Sequence, residues 1–109
     1  MSSMSTIAFQ PADTATVSVA ATTTSANVVL TLPDRNQILV TLVGTTTAYV
    51  RFGIDNSVVA LAPSGSTPGS FPVLGGSQQV FSKAKNHTHV AVIMSSGTGT
   101  AFFTAGGGI

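Results

Sequence analysis

The chain has 109 residues, of which 43% are apolar and 6% charged, with a formal net charge of +1. A typical soluble domain carries about 25% charged residues, and the four Lys and Arg of this chain are scattered, so nucleic-acid binding by counterion release is excluded. The chain has no cysteine, which removes disulfides and thiolate metal sites, and no apolar run approaches the ~18 residues of a membrane span.

One core is the natural content of this length. Residues 1–13 form a Ser-rich arm in which Ile7 and Phe9 alternate with Thr6 and Ala8. The arm has no positive charge before Ala12, so it does not resemble a signal peptide. Residues 14–109 read as one β domain. In residues 14–20, Ala15, Val17 and Val19 share a face opposite Thr14, Thr16 and Ser18, the period of a half-buried strand. Residues 27–32 follow, with Val28, Leu30 and Leu32 inward, and Pro33-Asp34-Arg35-Asn36 turns the chain. Residues 37–43 are apolar on both faces, as in a central strand or one covered by a partner. Ala48, Val50 and Phe52 then alternate with Thr47, Tyr49 and Arg51.

Residues 57–61 are a short strand candidate, and 62–70 are a loop rich in Pro, Gly, Ser and Thr. Residues 71–74 contain Pro72, which confines them to an edge or an irregular segment. A strand over 78–82 with Val80 inward precedes a turn holding Lys83 and Lys85. Residues 88–94 place Val90, Val92 and Met94 on one face. A last strand over 100–104 puts Phe102 inward, and Gly106–Gly108 form a flexible tail ending in Ile109. The expected core is therefore Val17, Val19, Val28, Leu30, Ile38, Val40, Leu42, Val50, Phe52, Val80, Val90, Val92 and Phe102. Many short strands with Gly and Pro turns, and no amphipathic helix, predict an all-β fold: a single-domain two-sheet β-sandwich, jelly-roll or immunoglobulin-like, with a short N-terminal arm.

Chemistry-bearing patterns are sparse. Asp13, Asp34 and Asp55 are far apart and suit turns and strand starts better than acid–base work. His87 and His89, two apart, would share a strand face, but no Cys or carboxylate stands within several residues to complete a metal site. No serine lies in a Gly-x-Ser-x-Gly elbow, and no glycine stretch opens a helix as a phosphate loop does. Asn86-His87-Thr88 matches the N-glycosylation pattern without a secretion signal to support it. Tyr49 and Arg51 share a face but do not make a stacking platform for single-stranded nucleic acid. The expectation is a non-enzymatic protein with no cofactor and no catalytic metal.

One layout remains. It runs from Thr14-Ala15-Thr16-Val17-Ser18-Val19 through Gln37-Ile38-Leu39-Val40 and Ala48-Tyr49-Val50-Arg51-Phe52-Gly53. It continues through Thr88-His89-Val90-Ala91-Val92-Ile93 and Gly97-Thr98-Gly99-Thr100-Ala101 to Thr104-Ala105-Gly106-Gly107-Gly108. This resembles the small β-sandwich virion proteins of tailed bacteriophages, several of which act as head decoration or cement proteins. Such proteins often close on an acidic glycine stretch, where this chain has glycine alone. The resemblance implies a virion structural subunit, made in the host cytoplasm, that binds the outer surface of the head. Its partners would be the major capsid protein or other virion proteins, and it would form a homo-oligomer, with neither nucleic acid nor membrane as a partner. A neck, tail or fibre position is the alternative. A carbohydrate-binding sandwich is less favoured, because the chain has no Trp and a single Tyr. Ile7, Phe9, Tyr49, Arg51 and Ile109 are the residues expected at partner contacts.

Overall fold

A computed structural model describes residues 9–32 and 35–108. Eight strands account for the regular structure: β1 (Phe9–Ala21), β2 (Ala26–Val29), β3 (Gln37–Val43), β4 (Ala48–Gly53), β5 (Phe71–Val73), β6 (Gln78–Ser82), β7 (His89–Met94) and β8 (Gly99–Gly108). No helix occurs among the described residues, and hence none long and apolar enough to cross a membrane.

The strands pair as one long hairpin. β4 pairs with β5, β3 with β6, β2 with β7 and β1 with β8, every pair antiparallel. Two further pairings, β3 with β8 and β4 with β7, roll that hairpin into two sheets. The first sheet has the order β1-β8-β3-β6 and the second β2-β7-β4-β5. This is an eight-stranded jelly roll, which decides between the two sandwich types that the strand pattern allowed.

The core is the layer between the sheets. From the first sheet come Ala15, Ala21, Ile38, Val40, Leu42, Ala101, Phe103 and Ala105. From the second come Ala48, Val50, Val73, Val90, Val92 and Met94. Leu30 joins them, while Val17, Val19, Val28 and Phe52 are partly buried against this layer. Two expected core positions are corrected. Phe102 and Val80 point outward, and their neighbours Phe103 and Phe81 point in; Phe103 is fully buried, whereas Val80 is 43% exposed. Phe81 closes the side of the sandwich where β5 and β6 are the sheet edges. Its ring lies 4.5 Å from Phe71, which lies 5.8 Å from Phe52, so three tilted rings bridge the sheets.

Three segments differ from expectation. Gly106–Gly108 are not a free tail: they pair with Pro11, Gln10 and Phe9. β1 accordingly begins at Phe9, inside the segment read as an arm. Between Pro11 and Thr16 the register shifts: five steps in β1 (11 to 16) face two in β8 (106 to 104). Thr14 takes φ +58° inside this bulge, a left-handed conformation that only local irregularity makes usable for a threonine. The bulge resets the alternation so that Ala15 faces the core beside Val17 and Val19.

The third segment is residues 54–61, where no strand forms. It lies as a strap across the outer face of the second sheet. Val58 and Ala60 bury against Ala91, with Ile93 packed alongside. Side chains tack the strap down in place of a strand ladder. The Asn27 amide donates to the Asn56 carbonyl at 3.0 Å, Ala60 N–H to the Ser25 hydroxyl at 2.9 Å, and the Thr88 hydroxyl to the Ile54 carbonyl at 3.0 Å. Gly53 permits this approach, because a Cβ there would stand 2.5 Å from the Val58 Cβ.

The inward register of β8 makes a direct test. Phe103→Ala should cost about 3–5 kcal/mol by transfer and cavity terms, whereas Phe102→Ala should cost less than half of that. Urea denaturation of the two variants would refute the register if the order were reversed. Val92→Asp, which buries an unpaired charge at a fully buried site, should leave too little native protein to measure an unfolding transition.

Candidate functional site

The winding of the chain sorts its connections to two poles. Residues 22–25, 44–47, 74–77 and 95–98 meet at one pole. Apart from Leu74 they are all Ser, Thr or Gly. They bond to one another and to adjoining strand ends: Ser95 N–H to the Thr47 carbonyl at 2.9 Å, the Thr46 hydroxyl to the Ser96 carbonyl at 2.7 Å, and Gly76 N–H to the Leu42 carbonyl at 2.9 Å. Close packing there needs small residues, since a Cβ on Gly75 would stand 2.8 Å from the carbonyl oxygens of both Gly44 and Thr46.

The opposite pole holds the charge. Arg35, Asp55, Lys83, Lys85 and His87 lie in its connections, with Arg51 near the end of β4 and His89 at the start of β7. Every charged side chain among the described residues is therefore near this pole, Asp13 having no described side chain. Arg51 is exposed, and its Nη1 donates to the Val59 carbonyl of the strap at 3.3 Å. Lys83 is buried, and its Nζ donates to the Ala84 carbonyl at 3.2 Å.

The two histidines do not share a strand face. His87 belongs to the turn before β7, where its N–H donates to the Ala84 carbonyl at 3.0 Å. His89 is the first residue of β7, with its Nδ1 2.8 Å from the Thr88 hydroxyl. No three His, Cys, Asp or Glu side chains come together among the described residues.

A cavity of about 490 Å³ opens at this pole, walled by Phe52, Leu61 and Phe71 and by Arg51, Lys83 and His87. A second, of about 320 Å³, shares Arg51, Phe52 and His87 but adds Asp55. Nothing in the spacing of these residues foretold the grouping. Only the return of the 61–70 loop beside the turn at 83–87 makes it.

The other notable surface is the outer face of the first sheet. Its rows follow from the register. Thr16, Thr104, Leu39 and Val80 form one; Ser18, Phe102, Thr41 and Gln78 the next; Ala20, Thr100 and Val43 a third. None of these side chains is charged. Val43 is 56% exposed, while Leu39 and Phe102 are half-buried. Two pairs of polar groups bond within the face: the Thr16 and Thr104 hydroxyls lie 2.8 Å apart, and the Gln78 amide donates to the Thr41 hydroxyl at 3.0 Å. Sequence reasoning noticed the second apolar face of β3 but assigned Val80 and Phe102 to the interior.

Of the five residues expected at partner contacts, the side chains of Tyr49 and Arg51 are the ones the structure describes. Ile7 and Ile109 lie outside the described residues, and of Phe9 only the backbone is described, paired with Gly108 at the edge of the first sheet. Tyr49 and Arg51 lie on the outer face of the second sheet, Tyr49 between Ile93 and Pro72 in register.

Asp55 offers a measurable check on the charged pole. The Ser57 hydroxyl, and next the Ser57 N–H at 2.9 Å, donate to its Oδ1 and hold the carboxyl below the ordinary aspartate value; desolvation opposes them, and the charge of His89 adds a smaller lowering. A depressed folded value means the stabilisation is present above the unfolded value and lost as pH falls through the folded one. The window therefore lies below the ordinary aspartate range. Carboxyl-detected NMR titration should find Asp55 below a free aspartate, and Ser57→Ala should move it part of the way back; an unchanged titration in that variant would contradict the assignment.

No protein-family model, curated protein or solved structure matches this chain.

Proposed function

We propose that this protein is a non-enzymatic virion subunit that coats the head of a tailed bacteriophage, with the outer face of its first sheet against the shell. The observation that carries this reading is that face: uncharged, bearing Leu39, Val43, Val80 and Phe102, with the polar groups of Thr16 and Thr104 and of Thr41 and Gln78 already bonded to one another. Covering it removes apolar area from water without stranding a charge or breaking those bonds. Jelly rolls occur among viral capsid proteins, lectins and cupins. The fold is thus compatible with the reading, though fold alone does not assign a function.

Magnitude decides how such a face would work. Four strands about 4.8 Å apart and about seven residues long at 3.3 Å each outline roughly 440 Å². That is near half of the ~800 Å² per partner of a stable pairwise complex. One face is a weak contact in isolation. It becomes a firm one where many subunits engage a repeating lattice and each is held by more than one neighbour.

Quantitative mass spectrometry of purified particles tests the assignment. Many copies per particle are expected. A handful would move the protein to the neck, tail or fibre, and complete absence would refute a virion role. Val80→Glu, at a 43% exposed position, should leave the melting temperature within a few degrees of the parent. It should also strip the protein from particles, because it places a charge in the covered face. Full occupancy of that variant would exclude this face as the contact.

A further inference from the structure

We infer that β6 pairs edge to edge with β6 of a second copy of this chain, joining the first sheets of two subunits into one. An edge strand presents a row of backbone N–H and C=O groups that template pairing, and proteins blunt such edges with proline, a bulge, charge or shortness. Three of the four sheet edges here are blunted. β5 has three residues and contains Pro72, β2 has four residues, and β1 carries Pro11 and the register shift before Thr16. β6 differs: Gln78–Ser82 holds no proline and no charge, and it pairs with β3 in unbroken register. The nearest charge, Lys83, lies one residue past its end and is buried, so no charge stands on the strand itself. Gln78, Gln79, Val80 and Ser82 are all exposed, and among the described residues no strand pairs with the far side of β6.

The ladder to β3 fixes which backbone groups reach outward. Leu42 N–H donates to the Ser77 carbonyl at 3.0 Å, and Lys83 N–H donates to the Asn36 carbonyl at 2.8 Å. Both couples continue the register of β3 with β6, and hydrogen-bonded pairs alternate along an antiparallel ladder. Gln79 and Phe81 therefore bond to β3, while the N–H and C=O groups of Gln78, Val80 and Ser82 point away from it. A two-fold axis at Val80 makes this row its own complement. Val80 then faces the partner subunit's Val80, and Gln78 faces the partner subunit's Ser82, each couple exchanging two backbone bonds. Moving the axis to Gln79 or Phe81 leaves one of the three outward residues past the end of the ladder. No like charges stand opposite one another in this register, and two valines meet on the outer face.

The pairing extends the neutral face. The row of Thr16, Thr104, Leu39 and Val80 runs on across the axis, so a face of roughly 440 Å² becomes one of about 880 Å². That reaches the ~800 Å² per partner of a stable complex. This use of the doubled face rests on the virion reading; the pairing itself does not. The edge alone is a weak contact: the five residues of β6, at about 3.3 Å each in a sheet about 10 Å thick, present roughly 165 Å². That is far below what holds a permanent dimer. The dimer therefore forms at high concentration, or where a lattice sets two copies side by side.

Hydrogen exchange and sedimentation of the purified protein test it. At about 10 μM the amides of Gln78, Val80 and Ser82 should exchange freely while those of Gln79 and Phe81 are protected. At about 1 mM the weight-average mass should rise towards that of a dimer, and the three outward amides should gain protection. A sample mixing labelled and unlabelled protein should show a nuclear Overhauser contact between the Hα of Gln79 and that of the partner subunit's Phe81, a close non-hydrogen-bonded pair. Val80→Pro removes an N–H that β3 does not use, and Val80→Lys sets like charges face to face across the axis; each should weaken the dimer about tenfold. Should Val80→Pro misfold, Val80→Lys reads the same edge. Val43→Lys, on the same face but beyond the span of β6, should change the affinity by less than about a factor of two. A strict monomer at about 1 mM, or outward amides protected at every concentration, overturns the pairing. So does a dimer that Val43→Lys dissolves and Val80→Lys does not. None of these outcomes involves particles, so an edge-paired dimer that is absent from virions refutes the virion reading alone.

Discussion

The position of β8 between β1 and β3 is the constraint on which the rest of this molecule depends. β8 pairs with β1 on one side and β3 on the other, so the last strand of the chain completes the sheet begun by the first. Phe103, at the centre of β8, is the largest of the fully buried side chains. Remove this strand and β1 loses its only described ladder, while β3 keeps only β6. The first sheet then no longer covers the second, and Val50, Val90 and Val92 lose their opposing layer. The chain meets this constraint with an unusual strand. Ala101 and Ala105 flank Phe103 so that one large ring fills the layer between small neighbours. Glycines at 106–108 carry the ladder on by backbone alone. These contacts link residues almost the full chain length apart, so loop-closure entropy is paid in full before the core rewards it.

Little of the surface is charged, and where that charge sits follows from the winding. A rolled hairpin sends alternate connections to opposite poles. One set, at 30–36, 54–57 and 83–88, carries Arg35, Asp55, Lys83 and Lys85. The other set is Ser, Thr and Gly apart from Leu74, where crowding limits side-chain size, as at Gly75. The two outer faces also diverge. The second sheet is overlaid by the 54–61 strap, which hides Ala91 and ties up Arg51. The first sheet has no such cover among the described residues. A neutral face with internally bonded hydroxyls thus lies open beside a charged pole, and the two surfaces suit different partners.

The sequence made the interior strands legible where one face was unambiguous. Residues 37–43, 48–53 and 89–94 show alternation that the structure reproduces, with Ile38, Val40 and Leu42 inside and Pro72 confined to an edge strand as its missing N–H requires. Reading failed where two aromatics or small residues blurred the period. In 100–105 the decisive signal was the pair of threonines flanking Phe102, which mark its face as the outer one. In 78–82 it was Phe81, more apolar than Val80 and set between polar neighbours on the other face. The strap resembled a strand because Val58 and Ala60 do alternate with exposed Val59 and Leu61. They bury against a sheet face instead of inside the sandwich, and no pattern within a five-residue window separates those cases. Glycine runs conceal strands altogether, having no side chain to show a period.

The candidate sites were less legible than the fold, for a physical reason. A catalytic centre written in local motifs can be read from spacing, but both surfaces here arise from long-range register. Leu39, Val80 and Phe102 become neighbours only through the pairing of β3 with β6 and β8. Arg51, Phe71 and His87 meet only because the 61–70 loop returns along the edge of the second sheet to the turn at 83–87. The signal that did survive in the sequence was negative: too few charges for a solvated, self-repelling surface. With so few ionic groups, their concentration near one pole leaves the outer face of the first sheet neutral, and a neutral face loses less than a charged one when covered. Low charge is therefore more than a compositional oddity of this chain. Combined with the winding of the jelly roll, it leaves one wide face free of any charge that would oppose burial against a partner.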